Sequence, residues 1–301
     1  MKNALSYYYS LVPTTIHQIN KKYRCYIQNQ EYILIQYEDL PEKANEFYNL
    51  SVYLLNMQIP CHEIILNNNG SVLTYINNQP YILLKIYVSD IKVNFSDITF
   101  FSNILIDYTQ YKNLICDNWN KMWTKKIDYF EYQMSHIGKN YRIIRDSFNY
   151  FVGLAETSIS FLLELENYVD NPVICHKRIK FNESKKELYN PLNFIFDTKV
   201  RDIAEYIKNK FFYDQYNIYD FVNDIGKCNF NEKQFHLFYG RLLFPSYYFD
   251  AYEDIVLDNA EEKIINKILI KINEYVAFLK EVWVEINKYY KLPEIEWIIK
   301  N

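Results

Sequence analysis

Residues 174–206, ICHKRIKFNESKKELYNPLNFIFDTKVRDIAEYI, restrict the fold of this chain more than any other stretch. A short apolar run stops at His176, a polar loop follows, and a second apolar run stops at Asp197. Arg201 and Asp202 then open a stretch of helical spacing, so the segment predicts strand, loop, strand and helix in quick succession. Each strand ends on a residue capable of proton or metal chemistry.

That layout resembles the catalytic segment of aminoglycoside-phosphotransferase-like kinases. Where those proteins write His-Gly-Asp, this chain writes His176-Lys177-Arg178. An Asp at the third position would accept the proton of an attacking hydroxyl; Arg178 has the opposite charge and no usable lone pair. A unit charge pair about 4 Å apart is worth about 4 kcal/mol at an effective dielectric near 20, and here its sign is inverted. The resemblance therefore implies a kinase fold in which the positions His176, Lys177, Arg178 and Asp197 are degenerate. Asp197 occupies the place of the metal-binding carboxylate, but one carboxylate cannot hold magnesium on phosphates without partners. His176 is expected to support the loop rather than act as a base. Asp202 is read as a first-turn carboxylate favoured by the helix dipole. Lys177 and Arg178 leave open an anion-binding remnant.

The remaining parts of a phosphoryl-transfer site are missing from their expected places. A phosphate-covering loop needs glycine, because the backbone must approach phosphate oxygens with φ > 0; the first glycine is Gly70, beyond the strands that would hold such a loop. No lysine lies between Tyr23 and Glu42, and the run YILIQY offers Ile35 and Gln36 where a cation is required. Lys85 ends a similar strand but follows the first helix, and is read as a solvated strand residue. Glu42 and Glu46 then lack a lysine partner and are read as surface charges. GxSxG, HExxH and P-loop patterns are absent, and His17, His62, His136 and His236 are isolated.

The organisation around this segment predicts an α+β, two-lobed protein-kinase-like fold, with a small antiparallel β lobe over residues 1–90 and a mainly helical lobe over 91–301. Strands are expected at Tyr23–Ile27, Tyr32–Tyr37, His62–Leu66, Ser71–Ile76 and Tyr81–Val88. One helix interrupts them, begun by Asp39, Pro41 and Glu42 and carrying Phe47, Leu50, Leu54 and Met57 on one face. The hinge falls near Ser89–Asn94. Helical patterns cover Phe95–Ile115, Trp119–His136 and Tyr141–Leu165, and a seam runs through Ile264, Ile268, Ile272, Tyr275, Leu279, Val282, Ile286 and Tyr289.

Of the 301 residues half are apolar, enough for a large core, and the net charge of -4 is spread without a basic stripe, so no nucleic-acid partner is expected. The five cysteines are scattered, which argues against a zinc knuckle or disulfide framework and for a reducing compartment. No secretory signal and no membrane span are read from the sequence. The 31 tyrosines beside five glycines fit an AT-rich coding sequence; oxidative cross-linking of surface tyrosines is the functional alternative.

Four stretches, NYFVGLAETSISFLLE (149–164), ICHKRI (174–179), NFIFDTKVRDIAEYIK (193–208) and GRLLFPSYYFDAYE (240–253), resemble the spore coat-associated YutH family, related to the CotS-type coat proteins of endospore-forming bacteria. The resemblance implies a protein made in the mother-cell cytoplasm, deposited on the spore coat, and partnered by other coat proteins. Two readings follow. One is a non-catalytic interaction protein with no cofactor; the other is a small-molecule kinase that uses ATP and magnesium on a sugar or amino alcohol.

Overall fold

The computed structural model describes residues 1–116, 118–165, 168, 170–179, 184–258 and 260–300. Part of the loop after His176, residues 180–183, lies outside them. The N-terminal lobe runs α1 (Lys2–Tyr9), β1 (Thr15–Ile19), β2 (Lys22–Ile27), β3 (Gln30–Gln36), α2 (Pro41–Asn56), β4 (Glu63–Ile65), β5 (Thr74–Ile76) and β6 (Gln79–Lys85). Its antiparallel sheet has the order β1-β2-β3-β6-β4, with β5 also paired to β6.

Tight turns with left-handed residues hold this sheet without glycine. Gln28 and Asn29 (φ 49° and 66°) join β2 to β3, and Asn77 and Asn78 (51° and 62°) join β5 to β6. Both central residues of a two-residue hairpin turn need φ > 0, and Asn is the side chain that tolerates it best after glycine. Alternation then sorts the strands between two cores. Leu34 and Leu83 face α1, with Leu5, Tyr9 and Cys25, whereas Ile33, Ile82 and Leu84 face α2 and the helical lobe.

The expected lobe lacked α1 and β1. Of the TIHQI strand only Ile16 is even half-buried, and α1 buries only Leu5 and Tyr9, so neither segment carries a readable period. Asp39 also differs from expectation: Leu40 precedes the first turn of α2 and no side chain caps it. The Asp39 carboxylate instead accepts from Leu40 N and pairs with Lys43 and Lys177. Met57 lies beyond the helix and is exposed.

The helical lobe continues through α3 (Phe95–Ser102), α4 (Trp119–Ile137), α5 (Arg142–Phe161), β7 (Val173–His176), α6 (Lys185–Leu188), β8 (Phe194–Asp197), α7 (Val200–Tyr213), α8 (Ile218–Ile225), α9 (Glu232–Leu243), α10 (Ser246–Asp258), α11 (Ile264–Asn287) and α12 (Glu296–Ile299). The helix expected over Phe95–Ile115 stops at Ser102. Beyond it Asp107 accepts from Thr109 N and starts a 3-10 turn, the local competition by which short polar side chains end helices. Helix α7 is the lobe's central element, burying Val200, Ile203, Ala204, Ile207 and Phe211. Along α11 the buried seam is Ile265, Ile268, Ile272, Tyr275, Leu279, Val282 and Ile286, while Tyr289 lies past its end and is exposed.

Helices α5 and α9 meet at Gly240. A Cβ there would lie 2.4 Å from Leu162, and the Gly240 carbonyl accepts from Ser158 Oγ at 2.7 Å. Only a residue without a side chain allows this approach, which places the next residue, Arg241, against β8.

Candidate functional site

β7 and β8 pair antiparallel, with His176 opposite Phe194 and Val173 opposite Asp197. His176 and Asp197 thus sit at opposite ends of the ribbon. They are linked through the first turn of α7, whose Asp202 serves one and Arg201 the other.

His176 is buried, and all of its polar atoms except the carbonyl are tied to two neighbours. Its backbone N–H donates to Asp202 Oδ1 at 3.1 Å, Nδ1 lies 2.6 Å from Asp202 Oδ2, and Nε2 lies 2.8 Å from the Leu188 carbonyl. Phe101 closes the ring edge-on at 5.0 Å. Neither nitrogen faces a position from which it could take a substrate proton. Asp202 is more than a first-turn charge: it is 2% exposed and fixes the backbone and ring where the loop begins.

Asp197 is held by two guanidinium groups. Arg201 Nη1 donates to Oδ2 at 2.6 Å, Arg241 Nη2 lies 3.1 Å from both oxygens, and Thr198 N–H donates to Oδ1 at 2.6 Å. Burial pushes this carboxyl upward, but Arg241 and Arg201 outweigh it and hold the group below the ordinary carboxylate range. Magnesium asks for several oxygen ligands in near-octahedral array. The residues present do not fit it: Asp197 is committed to two arginines, and no group of three His, Cys, Asp or Glu among the described residues could hold a metal.

Arg178 also has acidic neighbours, both from α10. It pairs with Glu253 and lies 3.3 Å from Asp250. Lys177 bonds to Asp39 at 3.2 Å and lies over the Phe47 ring. The two cations read as an anion-binding remnant are therefore each matched by carboxylates, which the sequence reading did not include.

The cleft between the lobes is crossed by ion pairs. Its β3 face presents Glu31 and Ile33, whereas Gln36, expected near the phosphate position, bonds to Gln79. Glu31 pairs with Lys186 at 2.8 Å and Arg24 at 3.0 Å, and Lys22 reaches Glu187 at 2.8 Å. Lys85 lies on β6 beside Glu63 and Tyr87. Glu46 is not a free surface charge: it accepts from the backbone and side chain of Asn113, tying α2 to the other lobe.

The segment joining the lobes is bonded to its own chain. Tyr87 N–H donates to His62 Nδ1, Gln30 Nε2 donates to the Ile86 carbonyl, and Lys185 N–H donates to the Ile91 carbonyl. His62 completes this junction through Nε2 to the Lys186 carbonyl at 2.8 Å and its own N–H to the Tyr189 carbonyl at 3.0 Å. With Nδ1 accepting, the ring is the neutral Nε2–H form, and burial pushes its pKa down. Nothing near His62 in sequence announced this role. Nor did sequence reasoning find Arg241, Asp250 and Glu253 as partners, although charged side chains within the apolar stretch 240–253 were a usable signal.

The six-stranded lobe set on a helical lobe, with the β7–β8 ribbon and α7 behind it, defines a kinase-like fold of the aminoglycoside-phosphotransferase type. Solved structures with this fold include an aminoglycoside phosphotransferase from Alicyclobacillus acidocaldarius, 10% identical with a TM-score of 0.65 and 96% of each chain covered. A spectinomycin phosphotransferase in complex with ADP and spectinomycin is 12% identical, with a TM-score of 0.58 over 93% of this chain and 92% of that one. Choline kinase LicA from Streptococcus pneumoniae is 12% identical, with a TM-score of 0.51 over 92% and 98%. The family described as "Spore coat putative kinase YutH" matches residues 2–282, and the chain belongs to that family. A curated relative, the endospore coat-associated protein YutH of Bacillus subtilis (strain 168), is 27% identical over 215 residues, which span 61% of this chain and 62% of the relative. None of the described helices is long and apolar enough to cross a membrane.

Proposed function

We propose that this spore coat-associated chain is a non-catalytic member of the kinase-like fold, acting in sporulation and coat assembly through contacts with other coat proteins. The observation that carries the reading is Asp197 bound by Arg201 and Arg241 while Arg178 stands where a catalytic carboxylate belongs. A metal–triphosphate complex needs uncommitted carboxylate oxygens for its metal at those places. Here Asp197 is committed to two arginines, and Glu31 is already paired with Lys186 and Arg24 in the cleft. The protein is made in the mother-cell cytoplasm and then joins the coat, as the family relationship suggests.

Thermal melting with ATP and magnesium tests the loss of catalysis. A ligand at 100 times its dissociation constant adds about 2.7 kcal/mol of stability; the expected shift is none. A clear shift that vanishes in Asp197→Ala, together with transfer of labelled phosphate to a sugar or amino alcohol, overturns the reading in favour of a small-molecule kinase. A fluorescent fusion is expected to collect at the developing spore surface during sporulation, and diffuse expression in vegetative cells counts against the coat role.

A further inference from the structure

A cavity of about 210 Å³ lies beside the start of the loop after β7, among Trp123, Lys126, Arg178, Arg241, Phe244 and Asp250. Trp123 and Phe244 stack at 4.1 Å with a 15° interplanar angle, so part of the wall is apolar. The rest is charged, and its hydrogen-bonding capacity is unevenly used.

Donors are left over. Among the described residues, the carboxylate oxygens near Lys126 lie at 3.4 Å on Glu253 and 3.9 Å on Asp250, too loosely placed to fix its ammonium. Arg241, 3% exposed, spends Nη2 on Asp197 while its Nε–H has no acceptor among the described residues. Arg178 meets its two carboxylates through Nη2. By contrast, the neighbouring acid Glu205 has both oxygens engaged, by Lys208 at 2.7 Å and Ser246 at 2.6 Å. Asp250 is the acceptor that remains, with its nearest cationic nitrogen at 3.3 Å.

A buried donor without an acceptor costs free energy, and charge-assisted bonds to phosphate are among the strongest such a donor can make. We propose that this cavity binds a short-chain polyol phosphate, with the phosphate on Lys126, Arg178 and Arg241, a nearby hydroxyl donating to Asp250, and the carbon chain against Trp123. A cavity of about 210 Å³ suits a ligand of that size. The proposal goes beyond the non-catalytic reading, because a phosphate ester is held here and nothing is transferred to it.

Calorimetric titration of the full chain with glycerol phosphate, inorganic phosphate and glycerol tests it, alongside Lys126→Gln and Asp250→Asn proteins whose folding is checked by melting. Glycerol phosphate is expected to bind and glycerol not to. Lys126→Gln weakens glycerol phosphate about tenfold, equivalent to about 1.4 kcal/mol. Asp250→Asn lowers the preference for glycerol phosphate over inorganic phosphate, because it weakens the hydroxyl acceptor while removing a carboxylate beside the phosphate cations. No binding by the folded wild-type chain, or unchanged affinity in folded Lys126→Gln, overturns the site. Inorganic phosphate binding as tightly as the ester overturns the polyol assignment. ATP with magnesium is titrated separately, so a failure here stays distinct from a failure of the non-catalytic reading.

Discussion

The two ends of the β7–β8 ribbon are both buried and both bonded, but by different means. At the His176 end one carboxylate, Asp202, holds a backbone amide and an imidazole. At the other end two guanidinium groups converge on Asp197. The first arrangement organises a loop and needs no ligand to complete it. The second places Asp197 at the centre of an ion-pair cluster. The hydrogen bonds that shape the loop after β7 and the ion pairs around Asp197 thus draw on different groups of the same helix turn.

Asp202→Ala is the most severe way to break this comparison. It leaves His176 without its acceptor in a site closed by Phe101, and a loss of about 3–5 kcal/mol in urea unfolding is expected. Asp202→Asn should recover part of that, since the amide oxygen can still accept from His176 N–H; an Ala variant as stable as wild type would mean the His176 end is not a scaffold. Gly240→Ala disturbs the Asp197 end from behind, by forcing α9 away from Leu162 just before Arg241. About 1–3 kcal/mol of destabilisation is expected, read in the same assay.

A double-mutant cycle of Asp197→Asn and Arg241→Met sharpens the ion-pair side. Coupling of about 0.5–3 kcal/mol is expected for groups in one network, and additive losses would dissolve the cluster as a unit. Acid titration of stability separates the groups further. Burial favours neutral rings at His62 and His236, so the unfolded chain binds more protons once pH falls below about 6.5, and stability present at neutral pH is lost from there downward. Asp197 and Glu205 are held below their ordinary values, so their contribution is full above about pH 4 and is lost as pH falls further. Unfolding free energies measured from neutral to acid pH should show two successive declines; a flat profile down to about pH 5 contradicts the histidine assignment. The smallest effect belongs to the half-exposed Lys22–Glu187 pair across the cleft, whose cycle should return about 0.2–1 kcal/mol.

Much of the frame was legible because its signals are local. The β7 and β8 runs, the helical spacing of α5 and α11, and the turn residues between strands each announce themselves within a few positions. So did the substitution of Lys177 and Arg178 for the expected residues. What escaped reading was pairing over distance. Arg178 with Glu253, Lys186 with Glu31, and Asp197 with Arg241 join residues far apart in the chain, and a single sequence does not say which charges meet. Helix α1 and strand β1 escaped for another reason: they bury too few side chains to leave a period.

The segment between the lobes carries one last consequence. Its Tyr87 amide and its Ile86 and Ile91 carbonyls are already bonded to His62, Gln30 and Lys185. A flat heterocycle offered to those three groups, whether a purine or an inhibitor built to imitate one, would have to displace the chain's own hydrogen bonds there. Chemical libraries tuned to nucleotide pockets should accordingly give few hits against this protein.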